Sequence, residues 1–122
     1  MRVPKNQPFW LRLRCAMAGV AAGLRSEHSL RYQAVALAGA IVVLGVFRPE
    51  PVWWALVALS SGAVISAELL NTALEHLTDH LHPDSHPQIR VVKDCAAGAV
   101  LVASCGAAGV GIALVVHLVM TR

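Results

Sequence analysis

Four polar side chains, Glu68, Asn71, Glu75 and Asp79, fall close together around the segment AELLNTALE. Counted from Glu68, their offsets of 0, 3, 7 and 11 residues place all four on one face of a helix. Ser61, seven residues before Glu68, carries the stripe into an uncharged run. An ionisable group inside an apolar span costs ~2.5 to 3.5 kcal/mol on insertion scales, which makes it a functional candidate by default. Carboxylates grouped with an amide are hard oxygen donors, the set that holds a divalent cation. The bland alternative is a polar seam in which Asn71 and paired charges glue helices together.

Partners for this stripe lie on either side of it in the chain. Glu27 precedes the first long apolar run and is expected at the same membrane level as Glu75. After Asp79 comes a polar turn cluster, His82-Pro83-Asp84-Ser85-His86-Pro87, and then Lys93-Asp94 at the entrance to the last apolar run. A lysine beside carboxylates suits phosphate. The histidines (His76, His80, His82, His86) raise a soft metal, but no HExxH and no paired cysteine accompanies them. Nor is there a GxxxxGK[ST] loop, and Gly106, Gly109 and Gly111 sit mid-run, where a phosphate cradle cannot form. The ladder Ala99, Ala103, Ala107, Gly111 reads instead as a close helix–helix contact.

The elements that must carry these residues follow from composition. The 122 residues are 57% hydrophobic and 14% charged, with mean hydropathy +0.62. A soluble domain carries about 25% charged residues, so soluble folds and disorder are both disfavoured, and the length predicts one domain, 1–122. Net charge is only +3, which gives nucleic-acid binding no support. Tyr32 to Phe47, Pro51 to Ala67 and Cys95 to Thr121 are uncharged for 16, 17 and 27 residues. With a spanning requirement of about 20, these predict transmembrane helices over about 32–48, 52–80 and 92–120. A soluble core would need a polar shell that the chain lacks. Residues 8–30, with Phe9, Trp10, Leu13, Met17, Val20 and Leu24 at helical spacing, predict an amphipathic surface helix. The rival, a secretory signal peptide, fits poorly with an Ala/Gly-weighted stretch followed at once by Arg25 and Glu27. Arg2, Lys5, Arg12, Arg14, Arg25 and Arg31 before the first span, and Arg90 and Lys93 in the second loop, predict a cytoplasmic N-terminus. Cys15, Cys95 and Cys105 have no pairing pattern and read as small apolar residues.

These residues together resemble the prokaryotic integral-membrane diacylglycerol kinases, a family that includes the undecaprenol kinases. The resemblance covers residues 9 to 120. It is carried by AELLNTALE with Asp79, by the HP-x5-KD-x-AAGAVL pattern from His86 to Leu101, and by Glu27 before Leu30-Arg31. It implies an all-α membrane protein of the bacterial plasma (inner) membrane, with a surface helix and three spans, assembled as a homotrimer with shared active sites. It implies transfer of the ATP γ-phosphate to a lipid hydroxyl with Mg2+. Glu68 then matches the catalytic base, and Glu27 and Glu75 the metal ligands, supported by Asn71. Asp84, Ser85, His86, Lys93 and Asp94 fall on ATP-binding positions, together with Glu27, Asn71 and Glu75, while Asp79 is a supporting residue. Lys93 is expected at the triphosphate end and Asp94 at the nucleoside end. Diacylglycerol, giving phosphatidic acid, is the expected acceptor and undecaprenol the alternative. Cys15 stands where some members carry a tyrosine near the nucleotide, and Gln33 where some carry a glutamate. The competing classes are a small proton- or metal-coupled transporter, whose acid would lie near mid-bilayer, and a purely structural assembly protein.

Overall fold

The computed structural model describes residues 5–122, so Arg2 of the basic N-terminal set lies outside the described residues. The described residues form four helices in succession: α1 (Phe9–Ser26), α2 (His28–Phe47), α3 (Pro51–Leu81) and α4 (Pro87–Met120). Among the described residues there is no strand. The last three helices are long and apolar enough to cross a membrane, and the chain is a membrane protein.

Proline sets most of the boundaries. Pro51 and Pro87 occupy the first turns of α3 and α4, where a missing N–H is harmless and φ is already helical. Because His86 caps α4, with its Nδ1 accepting from the Gln88 N–H at 3.2 Å, that helix starts earlier than the charge pattern predicts. At the other end, α2 stops where Arg48 turns left-handed at φ 47° and donates its N–H to the Leu44 carbonyl at 2.9 Å. Pro49 follows and cannot continue the helix.

The surface segment expected over 8–30 divides at Glu27. That residue is extended (φ −112°, ψ 118°) and forms the whole joint between α1 and α2. His28 to Leu30 consequently belong to α2, which reaches 20 residues. At 1.5 Å per residue this is about 30 Å, the thickness of a hydrocarbon core. The 31 residues of α3 and 34 of α4 span about 47 and 51 Å on the same rise. They outrun the bilayer by several turns, which gives the polar end of α3 and the start of α4 room to project.

The interior is thin. Leu44, Val57 and Leu114 form a cluster with Trp53, Val110 and Leu118 packed around it. Leu30 and Val64 are also fully buried, while most large apolar side chains, such as Leu59, Val102 and Ile112, point outward. In lipid that surface carries no penalty, and close packing rather than water exclusion holds the helices together. A clasp closes the end opposite the stripe. His117 Nε2 lies 3.0 Å from Glu50 Oε2, the Trp53 ring stacks on His117 at 5.2 Å, and Arg122 sits 4.4 Å over Phe47. A backbone hydrogen bond at Glu50 itself, aided by the His117 ring against some desolvation, holds that carboxyl below its ordinary range.

Candidate active site

Glu68 is the deepest acid of the α3 stripe and is only 6% exposed. Its partner comes from α2, where the Ser29 hydroxyl donates to Glu68 Oε2 at 3.0 Å. A carboxylate out of water needs such a donor, because an unpaired buried charge is far more costly than a paired one.

One turn further, Asn71 Nδ2 donates to Glu75 Oε1 at 3.4 Å. Asn71 Oδ1 is buried and finds no partner, and buried polar atoms are rarely left so. Asn71 also lines an apolar groove of about 670 Å³ between α3 and α4, with Leu70, Leu74 and Val92. Thr78 is buried and donates to the Glu75 carbonyl at 3.1 Å, fixing the next turn of the helix.

At the loop end the chain brings the expected phosphate-side residues together. Asp79, Asp84, Ser85, His86, Lys93 and Asp94 all line one cleft of about 400 Å³. Lys93 Nζ donates to Asp79 Oδ1 across the ends of α4 and α3. Asp94 pairs with Arg90 one turn before it at 4.0 Å, both side chains being largely exposed. The His82 and His86 rings lie 5.9 Å apart over the same cleft.

Glu27 is half-buried at the joint of α1 and α2, and its side chain makes no capping bond there. The joint is tied to both neighbours. Arg31 donates from Nε to the Leu24 carbonyl at 3.0 Å and from its terminal nitrogen to the Arg25 carbonyl at 2.8 Å, satisfying two carbonyls that the end of α1 leaves open. Among the described residues no three His, Cys, Asp or Glu side chains converge as a metal site. The acids therefore do not form a closed cage within one chain. What is present fits a hard ion: the Glu75 carboxylate and the orphaned Asn71 Oδ1 are oxygens one turn apart on one face.

Ser29, Arg31, Gly23 and Thr78 are absent from the sequence-derived site. A serine and an arginine in a helix's first turn give no periodic signal, and only the α1–α2–α3 packing reveals their partners. Gln33 faces a cavity of about 220 Å³ together with Ser60, Ser61, Ala107 and Gly111. A Cβ added at Gly111 would meet nothing within 4 Å, so the end of the small-residue ladder is not filled by this chain alone. All three cysteines are exposed and unpaired.

The sequence matches the family model for prokaryotic diacylglycerol kinase over residues 14–115. It is 35% identical over 78 residues to undecaprenol kinase of Bacillus subtilis (strain 168), covering 64% of this chain and 63% of that protein. It is 36% identical over 99 residues to diacylglycerol kinase of Synechocystis sp., covering 80% of this chain and 57% of that protein. The matched regions thus span about three-fifths of each relative's length. No solved structure matches the chain. With the family's pattern running through α1 to α4 and over every polar group just described, the chain belongs to the prokaryotic diacylglycerol kinase family.

Proposed function

We propose that this chain is an ATP-dependent lipid kinase that transfers the γ-phosphoryl group to the primary hydroxyl of a membrane lipid, with diacylglycerol as acceptor and phosphatidic acid as product. The carrying observation is the buried Glu68, held by Ser29 at the deep end of a stripe whose outer end is the Asp79–Lys93 cleft. One face of α3 thereby links the depth of a lipid headgroup to a water-facing phosphate site. Family membership favours this reading over a transporter or an assembly protein.

In the reaction the acceptor O–H gives its proton to Glu68 while its oxygen bonds to the γ-phosphorus. The bond from that phosphorus to the bridging oxygen breaks, and ADP leaves. Such a transfer asks mainly for positioning and charge neutralisation. Lys93 holds the triphosphate, and Asp84, Ser85, His86 and Asp94 line the nucleotide cleft, with Asp79 in support. Glu27 and Glu75, with Asn71, would hold Mg2+ on the ATP phosphates. When bound, the ion neutralises phosphate charge.

The chain acts in the bacterial inner membrane with its N-terminus in the cytoplasm, as the basic residues before α2 favour. The exposed Phe9, Trp10 and Met17 of α1 lie in the headgroup layer. A homotrimer with shared sites covers the outward apolar faces and brings additional acids to each centre, which accounts for the incomplete cage within one chain. The relative named undecaprenol kinase supports a polyprenol as the second acceptor to test.

Purified protein in mixed micelles with labelled ATP, offered diacylglycerol and undecaprenol in parallel, tests the reading. Label is expected in phosphatidic acid, and Glu68→Gln is expected to lower turnover by about 10² to 10⁴-fold, the range for a general base. Transfer to neither lipid, or a Glu68→Gln enzyme above about a tenth of wild-type turnover, would overturn it.

A further inference from the structure

Three consecutive residues in the first turn of α2 each grip the neighbouring helices α1 and α3 at a different point. Ser29 reaches α3 through Glu68. Leu30, 1% exposed, fills the seam where α1 crosses α3, and a Cβ at Gly23 would stand 3.0 Å from its Cδ1 and 2.9 Å from Leu69 Cδ2. Arg31 holds the last carbonyls of α1. Successive helical side chains diverge by about 100°, so the three grips point in three directions and fix the rotation of α2 about its own axis.

From this arrangement we infer that Ser29 is a positioning residue for Glu68, one that locks the carboxylate through Oε2 and leaves Oε1 to meet the acceptor hydroxyl. The inference rests on Glu68 serving as the base of the proposed lipid kinase. A serine in a helix's first turn ordinarily turns its hydroxyl to a nearby backbone group. Here the hydroxyl spans 39 positions of sequence to an acid instead. No other side-chain hydrogen bond reaches Glu68 among the described residues. Without that bond the glutamate side chain has three torsions and no fixed orientation, apart from packing by its neighbours. A base that must meet a hydroxyl within hydrogen-bond reach loses rate steeply with small displacements. The neighbouring grips matter because they hold Ser29 itself at that distance.

A merely structural serine would support the α2–α3 contact and nothing else, so its removal would lower the amount of folded protein but not the rate per folded enzyme. Ser29→Ala and Ser29→Thr, assayed per folded protein after size exclusion, separate the two roles. Ser29→Ala is expected to lower kcat about tenfold with the KM for ATP within about twofold of wild type. Ser29→Thr, which keeps the hydroxyl, is expected to recover at least half of the lost rate. A Ser29→Ala enzyme with kcat within about twofold of wild type, or a threonine variant no better than alanine, would overturn the inference while leaving the kinase reading intact. A fully active Glu68→Gln enzyme measured alongside would overturn both.

Discussion

Lys93 and Asp79 face each other across the loop end of the bundle, the lysine from the second turn of α4 and the aspartate from the last turns of α3. Both side chains are accessible, 36% and 63% exposed. An ion pair in such a setting contributes about 0 to 1 kcal/mol. Asp79 can therefore hold Lys93 in place over the cleft and still release it to a more highly charged partner. On the proposed reading, a triphosphate, which presents several negative oxygens, is expected to outcompete a single exposed carboxylate.

Lys93→Leu is accordingly expected to raise the KM for ATP at least tenfold and to lower turnover, because a phosphate-bound lysine acts in ground and transition states alike. Lys93→Arg keeps the charge but changes its reach and is expected to be impaired. Asp79→Asn, which removes only the resting partner, should change the KM no more than about threefold, in line with the small worth of an exposed pair. ATP titrations at fixed lipid decide the matter. Wild-type ATP kinetics in Lys93→Arg would make the lysine a snorkelling anchor.

The carboxylates are read best through the metal. Glu27→Gln and Glu75→Gln should each shift the Mg2+ midpoint of activity upward at saturating ATP, by about 10- to 100-fold if both oxygens contact the ion or orient its ligands. Asn71→Ala should act in the same direction, since its unpartnered Oδ1 is the other oxygen on that face. Unchanged midpoints in both glutamine variants would remove these acids from the metal site.

The periodicity of Glu68, Asn71, Glu75 and Asp79 was readable because helical spacing alone puts them on one stripe, and long uncharged runs announce the spans. The cleft at the loop end was legible for a similar reason, since α3 and α4 are antiparallel neighbours joined by a short loop. The joint at Glu27 was legible only in part. The polar run Arg25 to Ser29 ends the apolar spacing of α1 and marks a boundary before the first span, but Glu27 carries neither glycine nor proline to fix the break at one residue. What breaks the helix is tertiary: Arg31 takes the α1 carbonyls, and Gly23 allows the backbone of α1 to approach Leu69. The Ser29–Glu68 bond belongs to the same class, a contact between residues 39 positions apart that no local pattern encodes.

Gly23 is the point where α1 rests on α3, and its size is the reason it can. A Cβ there would press on the ends of Leu69 and Leu30. Both are flexible side-chain tips, and alanine recovers about 0.5 to 1 kcal/mol of helix propensity, so Gly23→Ala should stay within about 1 kcal/mol of wild type. Gly23→Val adds branches that those tips cannot clear and should destabilise by about 1 to 3 kcal/mol, with loss of activity as Ser29 and Glu27 shift. Unfolding in detergent micelles, followed by circular dichroism, reads both variants. A valine variant as stable and active as wild type would mean that α1 does not need this contact.

The clasp at the opposite end responds to acid. The Glu50 carboxyl titrates below its ordinary value of 4.5, first through a backbone hydrogen bond at Glu50 and then through His117. A lowered folded-state value means that the unfolded chain binds the proton more readily. The stabilisation from Glu50 is therefore fully present above 4.5 and disappears as pH falls through the lower folded value. Glu50→Gln should lower the unfolding midpoint at pH 6, and the difference from wild type should shrink as the pH is taken down past 4.5. Because Trp53 stacks on His117, its fluorescence offers a local reading of the same change. His117→Gln should remove part of the pH-dependent difference but not all of it, since the backbone bond at Glu50 remains. Parallel acid limbs for wild type and Glu50→Gln would show that this carboxyl does not stabilise the fold.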